Sequence, residues 1–422
     1  MYDYKVDLTA NKVSDDCSIM GKVHDYHRMV AEHERLGLNL LLKSPIIATN
    51  GREAVVRERH SGSCLKVLMF GANNYLGVVN NQDVISRTIE AVKEFGVGSG
   101  GVPILSGTSF LHEELENKLS ELTGFEDTML FSAGFTANLG GLLGLMRPQN
   151  LIVQDRLNHA SLIDGGLLSG AKMLRYRHDD PVSLEGILAE NAEAYKNGIL
   201  VITDGVFSMD GDIADIPEIL KVVKKYNALL LIDEAHSTGV IGKGGRGTLS
   251  YYNITERDNI ILSGTLSKAL GTMGGYISAN KMVVDYLRSY ARGCLYSTSL
   301  PPAVCASALA SIDYMTATDV VEKLQDNAAY MRCKLRDSGY NIMNTVTAVI
   351  PIIVGDEYKL TMMSKDLLER GIFVNCIFPP AVPRKMARIR VNMSALLTRG
   401  DIDYFVNVLD DLFEKYEIEK ER

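Results

Sequence analysis

Apolar positions in the middle of this chain fall into short, nearly unbroken runs. Between about 100 and 300 they read DTMLFS, LIVQD, ILVITDG, ALLLIDEA and NIILSG. None alternates apolar with polar residues, so each predicts a strand buried on both faces. Helical text lies between them, at 111–124 and in GFTANLGGLLGLM. This alternation predicts an α/β domain with a mostly parallel sheet. Upstream, residues 20–42 predict an amphipathic helix. PIIATNGREAVVRER predicts a strand-turn-strand about Asn50-Gly51, followed by a short strand, LKVLMF, and a helix at 81–95. After Pro301-Pro302 the texture changes. A long helical stretch leads to AVIPIIVGD, GIFVNCIFPP, ARIRVNMS and a last helix at 400–417, which predicts a smaller α+β domain. The expected partition is 1–65, 66–300 and 301–422.

In open α/β sheets, ligands sit at the carboxyl ends of strands, so the residues after each run matter most. DTMLFS is followed by Ala133-Gly134-Phe135-Thr136, which opens a helix. Its first backbone N–H groups would suit a phosphate, or would simply be capped. LIVQD is followed by a loop with His159, a structural hydrogen-bonder or a flat ring for stacking. ILVITDG leads to VFSMDGD with Ser208, either a solvated acidic turn or a polar donor. ALLLIDEA carries Asp233, followed by His236. A carboxylate at the end of so apolar a strand is costly without a cation or proton donor. NIILSG runs into TLSKALG, where Lys268 is the only charge among small residues. Low polarity and nearby positive charge lower a lysine pKa and suit Schiff-base formation. The alternative is a lysine snorkelling from a helix end. Each signal alone is weak. Together they supply a phosphate cradle, a flat ring, a polar donor, a carboxylate and an amine, which is the set pyridoxal phosphate (PLP) requires.

Composition acts mainly by exclusion. The 422 residues are 46% apolar and 23% charged, with net charge −8. No general attraction to nucleic acid follows from that balance. The six cysteines are scattered, with no C-x-x-C pair, which argues against a disulfide scaffold or zinc cluster and for a cytoplasmic location. No run reaches the ~18 apolar residues of a transmembrane segment.

The ordered blocks NNYLG, FSAGFTAN, NHASLIDG, DGVFSMDGD, IDEAHSTGVIGKGGRG, GTLSKALGTMGGY, YSTSLPP and ARIRVNMSA resemble the α-oxoamine synthases, a family of fold-type I PLP enzymes. The similarity runs from about Phe70 to Ser394. It implies a fold-type I PLP-dependent transferase: a mostly parallel central sheet flanked by helices, with a smaller C-terminal α+β domain. It also implies a PLP-dependent acyltransferase. A small amino acid (glycine, alanine or serine) would condense with an acyl-CoA or acyl-carrier thioester, usually with loss of CO₂. By resemblance Lys268 is the Schiff-base lysine and acid/base, and Asp233 partners the pyridinium. His236 and Ser208 match contacts to the phenolic oxygen, and His159 matches the stacking ring. The catalytic set is Lys268, His159, Asp233 and His236. Gly134, Phe135 and Thr265 match the phosphate site. Ser297 and Thr298 match positions that reach a second subunit's phosphate, which implies a homodimer with shared active sites. Asn73 and Arg390 match the residues that hold the amino-acid carboxylate, with Arg388 as the alternative. FSMDGDIA most resembles aminoketobutyrate CoA ligase.

One departure concerns substrate choice. Many members carry Arg or His just before the [L/V/I]-S-G text, where this chain has Val102-Pro103 in GVPILSGTS. The segment 1–65 lies largely outside the match. GVGSGG fits G-x-G-x-x-G but follows a helical stretch rather than a strand, which disfavours a dinucleotide site. Two other functions compete: an aminotransferase sharing the Lys268 and Asp233 logic, and a non-catalytic partner subunit. The presence of Lys268, Asp233 and His236 speaks against the second.

Overall fold

The computed structural model describes residues 18–35, 45–58, 61–196 and 198–421. The chain forms two units, 73–325 and a second made of 1–72 with 326–422. The expected boundary at 300/301 therefore falls at Gln325/Asp326. The physical reason is that helix Pro302–Ala317 packs on helices Gln82–Phe95 and Phe110–Thr123 and so belongs to the larger unit. The expected separate N-terminal piece is likewise part of the unit that holds the C-terminal segment.

In the smaller unit, helix Ile19–Arg35 accounts for the described part of the helix expected at 20–42; the remainder lies outside the described residues. Strands β1 (Ile46–Thr49) and β2 (Glu53–Arg57) pair antiparallel around Asn50-Gly51, as their turn chemistry predicts. The Asn50 side chain accepts from the N–H groups of Arg52 and Glu53, and Gly51 takes the positive φ the turn needs. Strand β3 (Cys64–Met69) pairs antiparallel with β2.

The larger unit carries β4 (Asp127–Phe131), β5 (Leu151–Asp155), β6 (Lys172–Tyr176), β7 (Ile199–Asp204), β8 (Leu229–Asp233), β9 (Ile260–Thr265) and β10 (Gly275–Ala279). These form one sheet in the order β4-β10-β9-β8-β7-β5-β6. The pairs from β6 across to β9 are parallel, and β10 runs antiparallel to both its neighbours. The apolar runs are buried on both faces, and successive residues feed opposite cores. Leu230 and Ile232 join a core with Ile219 and Val223 of helix Ile216–Lys225. Leu231 joins the other, with Leu142 of helix Gly134–Leu145 and Leu287 of helix Lys281–Tyr290. Strands β6 and β10 were not among those read from the apolar runs. Strand β6 is a partly exposed edge strand, and β10 is embedded in glycine-rich text.

The smaller unit is completed by β11 (Val349–Gly355), β12 (Ile372–Phe373), β13 (Asn375–Ile377) and β14 (Ala387–Asn392). Strand β14 lies between β11 and β13, and β12 adds to β3 in parallel. The α+β character expected of the C-terminal segment is present, but its β12 completes a sheet begun at the N-terminus. Among the described residues, no helix is long and apolar enough to cross a membrane.

Candidate active site

The larger unit holds a cavity of about 270 Å³ at the carboxyl ends of β7, β8 and β9. Eight of the predicted residues border it: Gly134, Phe135, His159, Ser208, Asp233, His236, Thr265 and Lys268. They come from widely separated strand ends, as a site assembled by a parallel sheet requires.

Gly134 is the first residue of helix Gly134–Leu145. A Cβ there would stand 2.9 Å from the Thr265 Cβ and 3.1 Å from its Oγ1. Only glycine lets the helix end approach β9 so closely. The first N–H groups of a helix have no partner within it and carry the positive end of its dipole. The Thr265 hydroxyl donates to the Gly274 carbonyl (3.0 Å) and lies 2.8 Å from Ser267 Oγ. Backbone donors beside a hydroxyl suit an oxyanion such as phosphate.

Asp233 ends β8 and is 5% exposed. Asn138 Nδ2 donates to its Oδ2 (2.6 Å) and the Ala235 N–H to its Oδ1 (2.9 Å). The same Asn138 nitrogen donates to Ser161 Oγ at 2.9 Å. His159 Nδ1 lies 2.7 Å from Ser161 Oγ and accepts from the Ser161 N–H at 3.3 Å. The network thus makes Nδ1 an acceptor and places the ring proton on Nε2. Burial lowers the His159 pKa, and the Lys268 charge lowers it further against the pull of Asp233. His159 is accordingly a neutral, flat ring at neutral pH.

Asp204, at the end of β7, stands in register with Asp233 and borders the same cavity. Burial first, and then repulsion from Asp233, push its carboxyl well above the usual range. It accepts from the His159 backbone N–H at 3.3 Å. His236 is 6% exposed, and its Nδ1 lies 2.7 Å from the hydroxyl of fully buried Tyr75. Asn138, Ser161, Asp204 and Tyr75 had no assigned role in the sequence reading. All four nonetheless lie inside the matching blocks: Asn138 closes FSAGFTAN one helical turn beyond Gly134, Tyr75 sits inside NNYLG, Ser161 inside NHASLIDG, and Asp204 opens DGVFSMDGD.

The remaining predicted residues lie elsewhere. Ser297 and Thr298 border a larger cavity of about 680 Å³ in the same unit. Asn73 belongs to the larger unit but is not among the residues around the Lys268 cavity. Arg388 and Arg390 lie on β14 in the smaller unit. Arg388 is 1% exposed, and its Nε donates to the Met386 carbonyl (3.0 Å), whereas Arg390 is half-buried. The shared strand face expected of the two arginines therefore does not give them equal access. Arg388 is thus the more deeply buried of the two.

The cavity offers backbone donors for a phosphate, a carboxylate for a ring nitrogen and an amine for an aldehyde. The donor set fits PLP, and a mostly parallel seven-stranded sheet with these strand ends is the fold-type I PLP transferase architecture. A serine palmitoyltransferase of Sphingomonas wittichii superposes with a TM-score of 0.87 at 32% identity, covering 94% of this chain and 99% of its own. The aminotransferase class I and II family model matches residues 66–409, and the chain belongs to that family. Within it the chain falls in the α-oxoamine synthase group, so it is a PLP-dependent acyltransferase. The 8-amino-7-oxononanoate synthase of Petrotoga mobilis is 43% identical over 348 residues, 82% of this chain and 88% of that protein. The 8-amino-7-oxononanoate synthase 1 of Bacillus subtilis is 38% identical over 346 residues, with the same coverage.

Proposed function

We propose that the cavity around Lys268 joins a small amino acid to an acyl thioester with release of the thiol. The observation that carries this reading is the meeting of Lys268, the doubly bonded Asp233 carboxylate and the Gly134 helix end around one cavity. PLP bound there supplies an aldehyde that takes up amines and a ring that withdraws electrons from the amino-acid Cα. Lys268 would hold the aldehyde, and its amine would serve as the base that takes the Cα proton and the acid that returns it. Asp233 holds a proton on the ring nitrogen, with Asn138 and Ala235 fixing its two oxygens. His159 offers its neutral face to the ring, and Ser208 and His236 offer hydrogen bonds to a phenolic oxygen. The N–H groups of Gly134 and Phe135, with the Thr265 hydroxyl, hold the phosphate.

The resemblance assigns Asn73 and Arg390 to the amino-acid carboxylate, with Arg388 as the alternative. A planar guanidinium fork matches a carboxylate bidentately. Ser297 and Thr298 reach the phosphate of a second copy, which makes the working unit a homodimer. Exposed apolar side chains at Ile104, Leu105, Phe110 and Tyr296 support a partner surface on this unit. A cytoplasmic location completes the reading. The named relatives favour alanine with a seven-carbon dicarboxylic thioester over the aminoketobutyrate reading of FSMDGDIA, since joining the two with loss of CO₂ gives an 8-amino-7-oxo nine-carbon acid. The structural neighbour favours serine with a palmitoyl thioester, so both pairs belong in the assay.

The test is free-thiol release on mixing the PLP-loaded protein with each amino acid and thioesters of increasing length. Lys268→Ala should retain PLP, seen as protein-bound absorbance after gel filtration, and release no thiol. Full turnover by Lys268→Ala, or keto-acid formation without thiol release by the unaltered chain, would overturn the reading.

A further inference from the structure

Outside the cavity, one imidazole bridges two carboxylates. His178 follows β6. Its Nδ1 lies 3.2 Å from Asp155 Oδ1, and its Nε2 lies 2.9 Å from Asp212 Oδ2. The Phe207 ring meets it edge-on, with centroids 4.4 Å apart and planes at 89°. Burial alone would lower the His178 pKa, but the hydrogen bonds to Asp155 and Asp212 outweigh it and push the value up to about 10. Both ring nitrogens are then donors at neutral pH, and each has an acceptor.

What the bridge joins gives it a role. Asp155 is the last residue of β5, is 1% exposed, and accepts from the N–H groups of Leu157 (2.8 Å) and Asp179 (2.7 Å). The next turn of chain is the loop that carries His159. Asp212 closes a narrow turn: its carbonyl accepts from the Phe207 N–H (3.1 Å), and the Gly211 N–H donates to the Phe207 carbonyl (2.8 Å). Ser208 lies inside that turn. His178 thus stands between the loop that carries His159 and the turn that carries Ser208, and touches the anchor residue of each. Neither anchor borders the cavity, while both carried residues do.

We infer that His178 is a positioning residue that fixes Ser208 and His159 relative to each other by clamping Asp212 and Asp155. The inference rests on the proposed PLP site and deepens it. A clamp held at both ends by charged hydrogen bonds limits the drift of either loop, and a shift of about 1 Å in a supporting shell is enough to impair a site.

The experiment uses the full chain, stripped of PLP and titrated back, with the melting temperature of the PLP-free protein measured in parallel. His178→Gln keeps polarity but cannot donate from opposite edges of a ring. It should weaken PLP binding about 10-fold, the size typical of losing an outer-shell partner. It should also move the midpoint of the pH-dependent absorbance change of bound PLP by about one unit, the equivalent of one lost hydrogen bond at the phenolic oxygen. Asp212→Asn releases only the Ser208 side and provides a second route if His178→Gln does not fold; it should move the same midpoint in the same direction. In a Ser208→Ala background the midpoint shift caused by His178→Gln should disappear, because the effect travels through Ser208. Unchanged PLP affinity and absorbance midpoint in folded His178→Gln or Asp212→Asn protein would overturn the inference. So would a midpoint shift that persists in the Ser208→Ala background. Failure of the unaltered chain to bind PLP at all would instead overturn the proposed function, so the two failures are distinguishable.

Discussion

Asn138 gives the sharpest test of how the cavity is supported. Its side chain is 3% exposed, and its Nδ2 serves both Asp233 (2.6 Å) and Ser161 (2.9 Å). Asn138→Leu keeps most of the volume and deletes both donors. A hydrogen bond to a charged group contributes about 1.5–3 kcal/mol. Without the cofactor, water entering the cavity can replace the lost donor at Asp233. With the cofactor in place that water is excluded, so most of the cost falls on the bound state. A loss of about 1.4–2.8 kcal/mol corresponds to about 10- to 100-fold weaker PLP binding.

The assay is absorbance titration of the PLP-free protein, paired with its melting temperature. The expected result is a raised dissociation constant with a smaller change in melting temperature, and an Asn138→Asp protein that binds PLP worse still because it sets a second carboxyl against Asp233. A PLP affinity within twofold of the unaltered chain, together with a clearly lowered melting temperature, would refute the reasoning. Asn138 would then stabilise the fold without holding Asp233 for the cofactor.

Three further outcomes are expected. Gly134→Ala would press a methyl onto the Thr265 side chain at 2.9 Å; it should weaken PLP binding more than binding of pyridoxal, which lacks the phosphate, as parallel titrations would show. The His178 pKa is raised from 6.5 to about 10, so its ion pairs contribute stability that is fully present below pH 6.5 and is lost as pH rises through 10. With solvent screening at the partly exposed Asp212, the contribution is about 2 kcal/mol, measurable as a fall in denaturation midpoint over that window which His178→Gln abolishes. Asp204→Asn should be tolerated, because burial already disfavours a charge there and an amide oxygen can still accept from the His159 N–H, whereas Asp233→Asn should abolish turnover; equal loss of thiol release from both variants would contradict this.

The strand ends were legible because a strand buried on both faces is almost purely apolar, so the first polar letter after it marks the ligand side of the sheet. That logic pointed to Asp233 and Lys268, whereas Thr265 came only from the resemblance. The same logic missed β6, an edge strand whose polar letters face solvent, and β10, which the flanking glycines hide. The pairing of β12 with β3 joins positions about 300 residues apart in sequence, and no local pattern encodes such a contact. Period-two alternation rightly puts Arg388 and Arg390 on one face of β14, yet it carries no information about depth. Arg388 stands opposite Ile353 and Ile377 in the registers of the neighbouring strands, while Arg390 stands opposite Pro351 and Asn375. Asn138 and Tyr75 lie in matching blocks, but their pairing with Asp233 and His236 was out of reach for a related reason: which side chain bridges two elements depends on helix rotation and rotamer, not on spacing.

A larger consequence concerns three aspartates at equivalent places. Asp155, Asp204 and Asp233 end three neighbouring parallel strands, each at most 5% exposed. By sequence they are interchangeable, but the register sets Asp204 beside Asp233 and puts Asp155 one residue out of step, so that its side chain turns to the other face of the sheet; burying all three with bare charge would be prohibitive. The surrounding residues give each a different state. Asp155 meets the imidazolium of His178 and two backbone N–H groups. Burial and then the Asp233 charge push the Asp204 carboxyl well above the usual range. Asp233 receives neutral donors from Asn138 and Ala235, so its charge is solvated by the protein without being cancelled by those donors. Of the three, Asp233 is the one that borders the cavity with a neutral donor on each oxygen, the arrangement that suits a cationic heterocycle. The chemistry of the site is therefore decided less by the three acidic letters than by the residues one shell further out. Substitutions at Asn138, His178 and Tyr75 should accordingly reach the cofactor although none of the three is expected to react with it.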